Sequence, residues 1–200
     1  MQKSQKKTFT YIDLIKYKSL RLTTFCITLV FTSTVFLYYA PLMLINEFGF
    51  DFYINGVIIN LSELVTYIFS YFAIPTMRRK RMNLTTSSIS LVCSLILIFI
   101  HTKQICTGDC WNFKVILELI IIFVLRFCAS LQYQLLFVYI TELYPAQVGS
   151  LALGINCLIG CVPVIFLNEM INLCNRANFP IMAVFCIISF ISICSIIPLE

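Results

Sequence analysis

The stretch that decides the fold runs from Phe113 to Ile140 and reads FKVILELIIIFVLRFCASLQYQLLFVYI, with Lys114, Glu118 and Arg126 as its charged residues. It is longer than the roughly 20 apolar residues that a helix needs to cross the hydrocarbon layer of a membrane. Its apolar side chains are continuous rather than alternating, which favours a helix over a strand of a membrane barrel. The stretch therefore predicts a transmembrane α-helix.

The rest of the chain repeats this pattern. Hydrophobic residues make up 60% of the 200 residues and charged residues only 12%, with a mean hydropathy of +0.94. A soluble domain carries about 25% charged residues, so a soluble enzyme, a nucleic-acid binder and a disordered tail all fit poorly. We predict an all-α membrane protein: a basic segment over 1–22, then a six-helix bundle over 23–200. The other five predicted spans are about Thr23–Ile45, Phe52–Met77, Leu84–Ile100, Val148–Leu167 and Phe179–Ile197.

The basic residues outside the spans are divided unevenly between the two sides of the membrane. Six precede the first span and four separate the second from the third, ten in all, against Lys103, Lys114 and Arg176 on the other side. The positive-inside rule therefore predicts that both termini are cytoplasmic, and this agrees with an even number of spans, which places both termini on one side.

Cysteine is frequent, with ten residues, but seven of these lie inside predicted spans, where the thiol is a small apolar packing group. Cys106, Cys110 and Cys174 lie in loops on the predicted outer side. Whether a disulfide joins two of these three is left open by the sequence. The sequence predicts no metal centre and no cofactor.

Ionisable residues within the apolar layer are costly and are therefore candidates for function. They are Glu63 in the second span, Glu118 and Arg126 in the fourth, and Glu142 at the end of the fourth. Glu118 and Arg126 lie about 12 Å apart along one helix, too far for a direct ion pair. Each is therefore expected to face a cavity or a partner on another helix. The alternative is that these ionisable residues are structural caps or buried pairs, and for Glu142 this structural interpretation is favoured.

Several motifs resemble, in order, the second half of a major facilitator superfamily transporter, and within it the organic cation/anion (carnitine-type) family. The most specific is Tyr139-Ile140-Thr141-Glu142-Leu143-Tyr144-Pro145, which is similar to the family's Tyr-Thr-x-Glu-Leu-Tyr-Pro. Glu63-Leu64-Val65-Thr66-Tyr67 resembles its Glu-x-Pro-x-Tyr segment, and Arg126-Phe127 resembles its basic-Phe pair. Arg78-Arg79-Lys80-Arg81 resembles its basic turn. Sugar porters have related motifs.

The resemblance implies transport of small organic ions by alternating access, no enzymatic activity, and a lipid bilayer as surroundings. It implies that the protein is located in the plasma membrane, although an internal membrane fits the charge pattern equally well. By resemblance and position, the residues expected to line the substrate cavity are Arg126, Tyr133, Gln134, Glu63, Tyr67 and Glu118. Those expected to form a cytoplasmic gate are Arg78, Arg79, Lys80, Arg81 and Glu142.

The chain also departs from the family pattern. An acidic residue expected before the basic turn falls at Pro75, an arginine expected after the Glu-Leu-Tyr-Pro motif falls at Gly149, and a position often charged falls at Cys161. The last departure leaves the sign of the substrate charge open.

Such transporters consist of two six-helix bundles with the site between them. We therefore expect a second bundle, in the same polypeptide or in another chain. The alternative is a membrane protein without transport activity, either a relic half-transporter or a helper that binds a full transporter.

Overall fold

The computed structural model describes residues 18–44, 52–102, 111–144, 148–176 and 180–199, and these residues are almost entirely helical. The prediction of an all-α membrane fold is confirmed. In chain order the helices are α1 (Lys18–Met43), α2 (Phe52–Thr76), α3 (Arg79–Thr102), α4 (Trp111–Leu143), α5 (Gly149–Ile165), α6 (Leu167–Arg176) and α7 (Ile181–Ile196).

Among the residues that the structure describes, five segments are long and apolar enough to cross a membrane. They are Arg21–Met43, Phe52–Thr76, Arg79–Ile100, Lys114–Leu143 and Gly149–Cys174. The fifth combines α5 with most of α6, across a turn at Phe166, and so extends past the predicted end at Leu167. The sixth predicted span contains α7, whose 16 residues rise only about 24 Å, less than the roughly 30 Å of the hydrocarbon layer.

Proline marks the limits of several helices. Pro180 is the N-cap of α7, with an extended backbone, and its carbonyl accepts a hydrogen bond of 2.9 Å from the Ala183 amide. Pro75 lies in the last turn of α2, one residue before that helix ends. A proline ring fixes φ and removes the backbone N–H donor. It therefore suits the start of a helix and removes one backbone hydrogen bond when it lies near the end.

Helices α1 and α4 form the centre of the bundle and are its most buried spans. Helix α4 contacts α1, α2, α3 and α5, whereas α7 packs between α3 and α1. Helices α2 and α5 bury one face each and leave a broad apolar face exposed. This arrangement places the middle of α4 beside both α1 and α2, where the ionisable residues of the spans meet.

The interfaces between helices are lined with small polar residues. Helix α2 turns Ser62, Thr66 and Ser70 toward α4, each one helical turn from the next. Small residues allow two helix backbones to approach closely, and the hydroxyl groups form hydrogen bonds within the helix or across the interface. Thr66 Oγ1 does both, donating to the carbonyl of Ser62 at 2.8 Å and approaching that of Phe127 at 3.4 Å.

A buried polar network joins α3, α4 and α7. Gln132 Nε2 donates to Ser87 Oγ at 2.9 Å and to Ser192 Oγ at 3.2 Å, and the two hydroxyl groups lie 3.2 Å apart. All three side chains are buried. In an apolar interior an amide without partners is costly, so this network fixes the relative positions of the three helices.

Candidate functional site

Arg126 lies near the middle of α4, and its side chain is 1% exposed. Its Nη2 donates a hydrogen bond of 3.4 Å to Oε2 of Glu63 on α2. The other two guanidinium nitrogens, Nε and Nη1, have no hydrogen-bond partner in the part of the chain that the structure describes. Arg126 is therefore a buried cation that uses only part of its hydrogen-bonding capacity.

Tyr38 on α1 completes a three-helix cluster with this pair. Its hydroxyl donates to Glu63 Oε1 at 2.7 Å, and its ring centroid lies 3.5 Å from Cζ of Arg126. A guanidinium over an aromatic face is attracted by the negative charge density of the ring. Tyr67, one turn from Glu63 on α2, donates more weakly to the same Oε1 at 3.3 Å.

Aromatic rings extend the cluster along α4. The ring of Tyr133 stacks on that of Tyr38, with centroids 5.2 Å apart and an interplanar angle of 22°. Tyr133 also contacts Phe31 and Phe137 at centroid distances of 5.9 Å and 5.0 Å. Three helices, α1, α2 and α4, thus contribute to one aromatic and polar wall.

The structure brings together some of the predicted cavity residues and not others. Arg126 and Glu63 are paired, and Tyr67 and Tyr133 join them through the Glu63 carboxylate and the Tyr38 ring. Glu118 instead forms a 3.8 Å ion pair with Lys114 on its own helix. Gln134 is partly buried, with no hydrogen bond to the cluster among the described residues.

Tyr38 was missed as a site residue from the sequence. It was only one of many aromatic residues in the spans, and nothing in the spacing distinguished it. Buried tyrosine hydroxyls usually find a hydrogen-bond partner, but this signal applies equally to Tyr39, Tyr67 and Tyr133 and does not single out Tyr38.

Two apolar grooves lie on the exposed side of α2, and neither includes the cluster. One, of about 680 Å³, is lined by Leu42 and by α2 residues from Phe52 to Leu64. The other, of about 330 Å³, lies between α2 and α4 near Ile58 and Ile120. Their walls are mainly hydrocarbon and, among the described residues, contain no charged side chain, so the chemistry for holding a charged ligand is concentrated at Arg126 rather than in these grooves.

The predicted gate residues lie at one end of the bundle, where α2 ends and α3 begins. We call residues Arg78, Arg79, Lys80 and Arg81 the basic turn. Arg79 forms a bidentate pair with Glu142 at the end of α4, with Nε–Oε2 and Nη2–Oε1 distances of 3.1 Å and 3.0 Å. Arg79 Nη1 also donates to the carbonyl of Ile74 near the end of α2.

Lys80 extends the contacts of the basic turn to α7, because its Nζ donates to the Ile197 carbonyl at 3.0 Å. A cation at the carboxyl end of a helix is favourable, since the last carbonyls are unpaired and carry partial negative charge. Arg78 and Arg81 are exposed, and their side chains form no hydrogen bond or ion pair with the described residues. The basic turn therefore ties the ends of α2, α4 and α7 with two of its four side chains.

Tyr144 forms a further contact at the same end of the bundle. Its hydroxyl donates to Thr24 Oγ1 at 2.8 Å, joining the end of α4 to the start of α1. Burial raises the pKa of the Tyr144 phenol, and the hydrogen bond with Thr24 acts in the opposite direction. The phenol remains neutral and able to donate at physiological pH.

Comparison with known proteins shows what the chain is similar to. It is 24% identical over 157 residues to solute carrier family 22 member 6-B of Xenopus laevis, an alignment that covers 78% of this chain and 26% of that protein. It is 26% identical over 153 residues to organic anion transporter 3 of Mus musculus, covering 76% and 27%. The human organic anion transporter 3 is 25% identical over 155 residues, covering 76% and 26%. No family model matches the chain.

Over about three-quarters of its length the chain is similar to organic anion transporters. The resemblance predicted from the motifs is confirmed by these relatives, which are transporters rather than enzymes. The chain spans about a quarter of the length of the curated relatives it matches. Its helices agree with one half-bundle of a major facilitator transporter.

Proposed function

We propose that this chain is one bundle of a transporter for small organic ions, with organic anions as the preferred class. The observation that supports this most is Arg126, a buried cation in the middle of a membrane helix with two nitrogens unpartnered among the described residues. An ionisable residue at this depth usually serves a substrate or ion pathway. The relatives are named for transport of organic anions, which supports the choice of sign.

The chemical basis for this preference is the geometry of arginine. A guanidinium presents planar N–H donors that match a carboxylate in a bidentate arrangement. In the cluster, Glu63 engages only Nη2, at 3.4 Å, so Nε and Nη1 keep donors without a partner among the described residues, and a ligand that displaced Glu63 could use them. The rings of Tyr38 and Tyr133 provide an apolar wall against which an organic group can pack.

Transport by alternating access requires a second bundle, because the site of such transporters lies between two halves that rock around it. We propose that the exposed apolar faces of α2 and α5 meet this second bundle. These faces carry large side chains that are at least three-quarters exposed: Tyr53 (82%) and Tyr71 (77%) on α2, and Leu158 (75%) on α5. In this proposal the contacts of Arg79, Lys80 and Glu142 belong to a gate at the cytoplasmic end, with Arg78 and Arg81 beside it.

The orientation is a proposal as well. Both termini are placed in the cytoplasm by the positive-inside rule, and the plasma membrane is the location implied by the family resemblance. An antibody against residues 1–22 should then stain expressing cells only after permeabilisation. Staining of intact cells would mean that the N-terminal segment faces the outside and that the proposed orientation is wrong.

The first test of function is uptake by the native polypeptide that contains this chain. Cells expressing it are given labelled benzoate as an organic anion and labelled tetraethylammonium as an organic cation. We expect Arg126→Ala to abolish uptake of the anion while the protein still reaches the membrane, because the buried cation that binds the carboxylate is lost. Arg176→Ala, which removes an exposed arginine of α6, is the matched control.

Unchanged benzoate uptake by a correctly inserted Arg126→Ala protein would rule out this site. Uptake of tetraethylammonium but not of benzoate would mean that the substrate is an organic cation rather than an anion.

A second candidate is a membrane helper without transport activity, which binds a complete transporter through α2 and α5. The large exposed apolar faces of these helices favour it equally. An antibody against residues 1–22 separates the two candidates when used on source membranes. A native band near 23 kDa would mean a half-protein, for which transport needs a partner, and this favours the helper. A band of about twice that mass or more favours a single chain with two bundles.

A further inference from the structure

The four residues of the basic turn are not used alike. Arg79 and Lys80 point into the bundle, where Glu142 and the carbonyls of Ile74 and Ile197 accept their hydrogen bonds. Arg78 and Arg81 lie three residues apart and are both exposed. Neither side chain has a hydrogen bond or an ion pair to any residue that the structure describes. Two exposed guanidinium groups of the turn are therefore available to a ligand.

The start of α3 carries more positive charge than the described residues around it balance. Its first turn contains Arg79, Lys80 and Arg81 and no acidic residue. The amino end of a helix already carries partial positive charge from unpaired N–H groups, so basic residues there are unfavourable. Glu142 balances Arg79 only. An external anion beside Arg78 and Arg81 would offset the remainder.

The face of α3 below Arg81 is apolar. Arg81, Leu84, Ser88, Val92 and Leu95 are all exposed, and their spacing of three and four residues places them along one side of the helix. The Ser88 hydroxyl donates a hydrogen bond of 2.8 Å to the Leu84 carbonyl within the helix. We call this surface the α3 stripe. It has the character of a surface that contacts acyl chains.

We propose that Arg78 and Arg81 bind the headgroup of an anionic phospholipid whose acyl chains lie along the α3 stripe. Arginine pairs with phosphate through two parallel hydrogen bonds, and clusters of basic residues at a membrane edge attract anionic lipids. The stripe distinguishes a lipid from a free phosphate ion, because only the lipid also contacts Leu84, Val92 and Leu95. This site is separate from the Arg126 cluster and does not depend on transport activity.

The test is native mass spectrometry of the full chain in detergent micelles, titrated with phosphatidylserine or with phosphatidylcholine of the same acyl chains. The wild-type chain should bind phosphatidylserine more tightly. The variant Arg78→Gln/Arg81→Gln should bind it about tenfold more weakly, since two basic contacts are lost. The matched control is Arg21→Gln/Arg176→Gln, which removes the same charge from exposed positions on α1 and α6. Arg78→Lys/Arg81→Lys should retain most of the binding.

Several results would overturn the proposal. Equal weakening in both glutamine variants would mean that net charge alone attracts the lipid. Equal binding of phosphatidylcholine by the wild-type chain would mean that the headgroup charge plays no part. Displacement of phosphatidylserine by millimolar inorganic phosphate would mean that the stripe contributes nothing. Far-UV circular dichroism of each variant checks that the helices are intact.

Discussion

At the scale of single residues, the environment of Arg126 is the unusual feature of this chain. A buried charge is costly unless it is paired and hydrogen-bonded, and the penalty is several kcal/mol per ion. Glu63 offsets this cost with one contact of 3.4 Å, and the Tyr38 ring adds a cation–π contact. The carboxylate of Glu63 is itself 25% exposed, so it is the movable member of the pair. An incoming organic anion would compete with it for the same guanidinium.

We therefore expect Glu63→Gln to tighten the binding of an organic anion by about three- to tenfold, because the competing internal carboxylate is removed. The measurement is displacement of labelled benzoate from the purified protein. Glu169→Gln, which neutralises an exposed acidic residue of α6, is the control and should leave the affinity unchanged. Weaker binding by Glu63→Gln would instead mean that Glu63 positions Arg126 for the ligand.

At the scale of helices, close packing depends on residues without bulky side chains. Helix α5 buries Gly149, Ala152, Asn156 and Gly160 along the face that it turns toward its neighbours, of which α1 is the main one. Asn156 Oδ1 accepts a hydrogen bond of 2.7 Å from Thr28 Oγ1 of α1. A Cβ atom at position 160 would lie 2.5 Å from Cδ1 of Phe31, whose ring is almost wholly buried. Gly160 is thus a point of close approach between the two helices.

Gly160→Ala should lower the free energy of unfolding by about 1–3 kcal/mol, because the added methyl group forces the Phe31 ring to move in a packed interface. The paired control is Gly154→Ala on the same helix, where nothing lies within 4 Å of the added Cβ. That substitution should be neutral or slightly stabilising, since alanine favours a helix. Thermal unfolding in detergent measures both. If the two variants melt at the same temperature, the α1–α5 contact is looser than described.

At the scale of the whole molecule, the bundle is held by polar contacts that join several helices at once. One is the Gln132–Ser87–Ser192 network within the bundle, and another is the set of contacts from the basic turn at its end. Lipid tails are as apolar as leucine, so a membrane bundle gains little from the hydrophobic effect between its helices. Interhelical hydrogen bonds and close packing take over that role.

Gln132→Met preserves the volume of this side chain but removes its donors. We expect a loss of about 0.5–2 kcal/mol in the free energy of unfolding, the range found for hydrogen bonds between membrane helices. Gln134→Met is the control, because this neighbouring glutamine is only partly buried. Resistance to unfolding as the fraction of sodium dodecyl sulfate rises measures both variants. Equal resistance of the two would show that the network does not hold α3, α4 and α7 together.

The sequence by itself determined that this is an all-helical membrane protein and indicated its transporter relatives. Both conclusions rest on properties that are local in the chain: continuous apolar runs such as Phe113–Ile140, and short motifs such as the one ending at Tyr144-Pro145. A helix in lipid satisfies its backbone hydrogen bonds internally, so its existence follows from its own residues. The same locality indicated Arg126 and Glu63 as costly ionisable groups.

Only the tertiary structure decided which of these groups meet. Arg126 and Glu63 are 63 residues apart, and Tyr38 lies on a third helix, so no spacing in the sequence relates them. Glu118 resembled Arg126 as an intramembrane charge, yet its partner is Lys114, one turn away on the same helix. Within the basic turn, the structure alone separates Arg79 and Lys80, which bind the ends of other helices, from the exposed Arg78 and Arg81. The physical reason is that side-chain pairing depends on how helices rotate and pack against one another, which distant residues such as Gly160 and Phe31 set together.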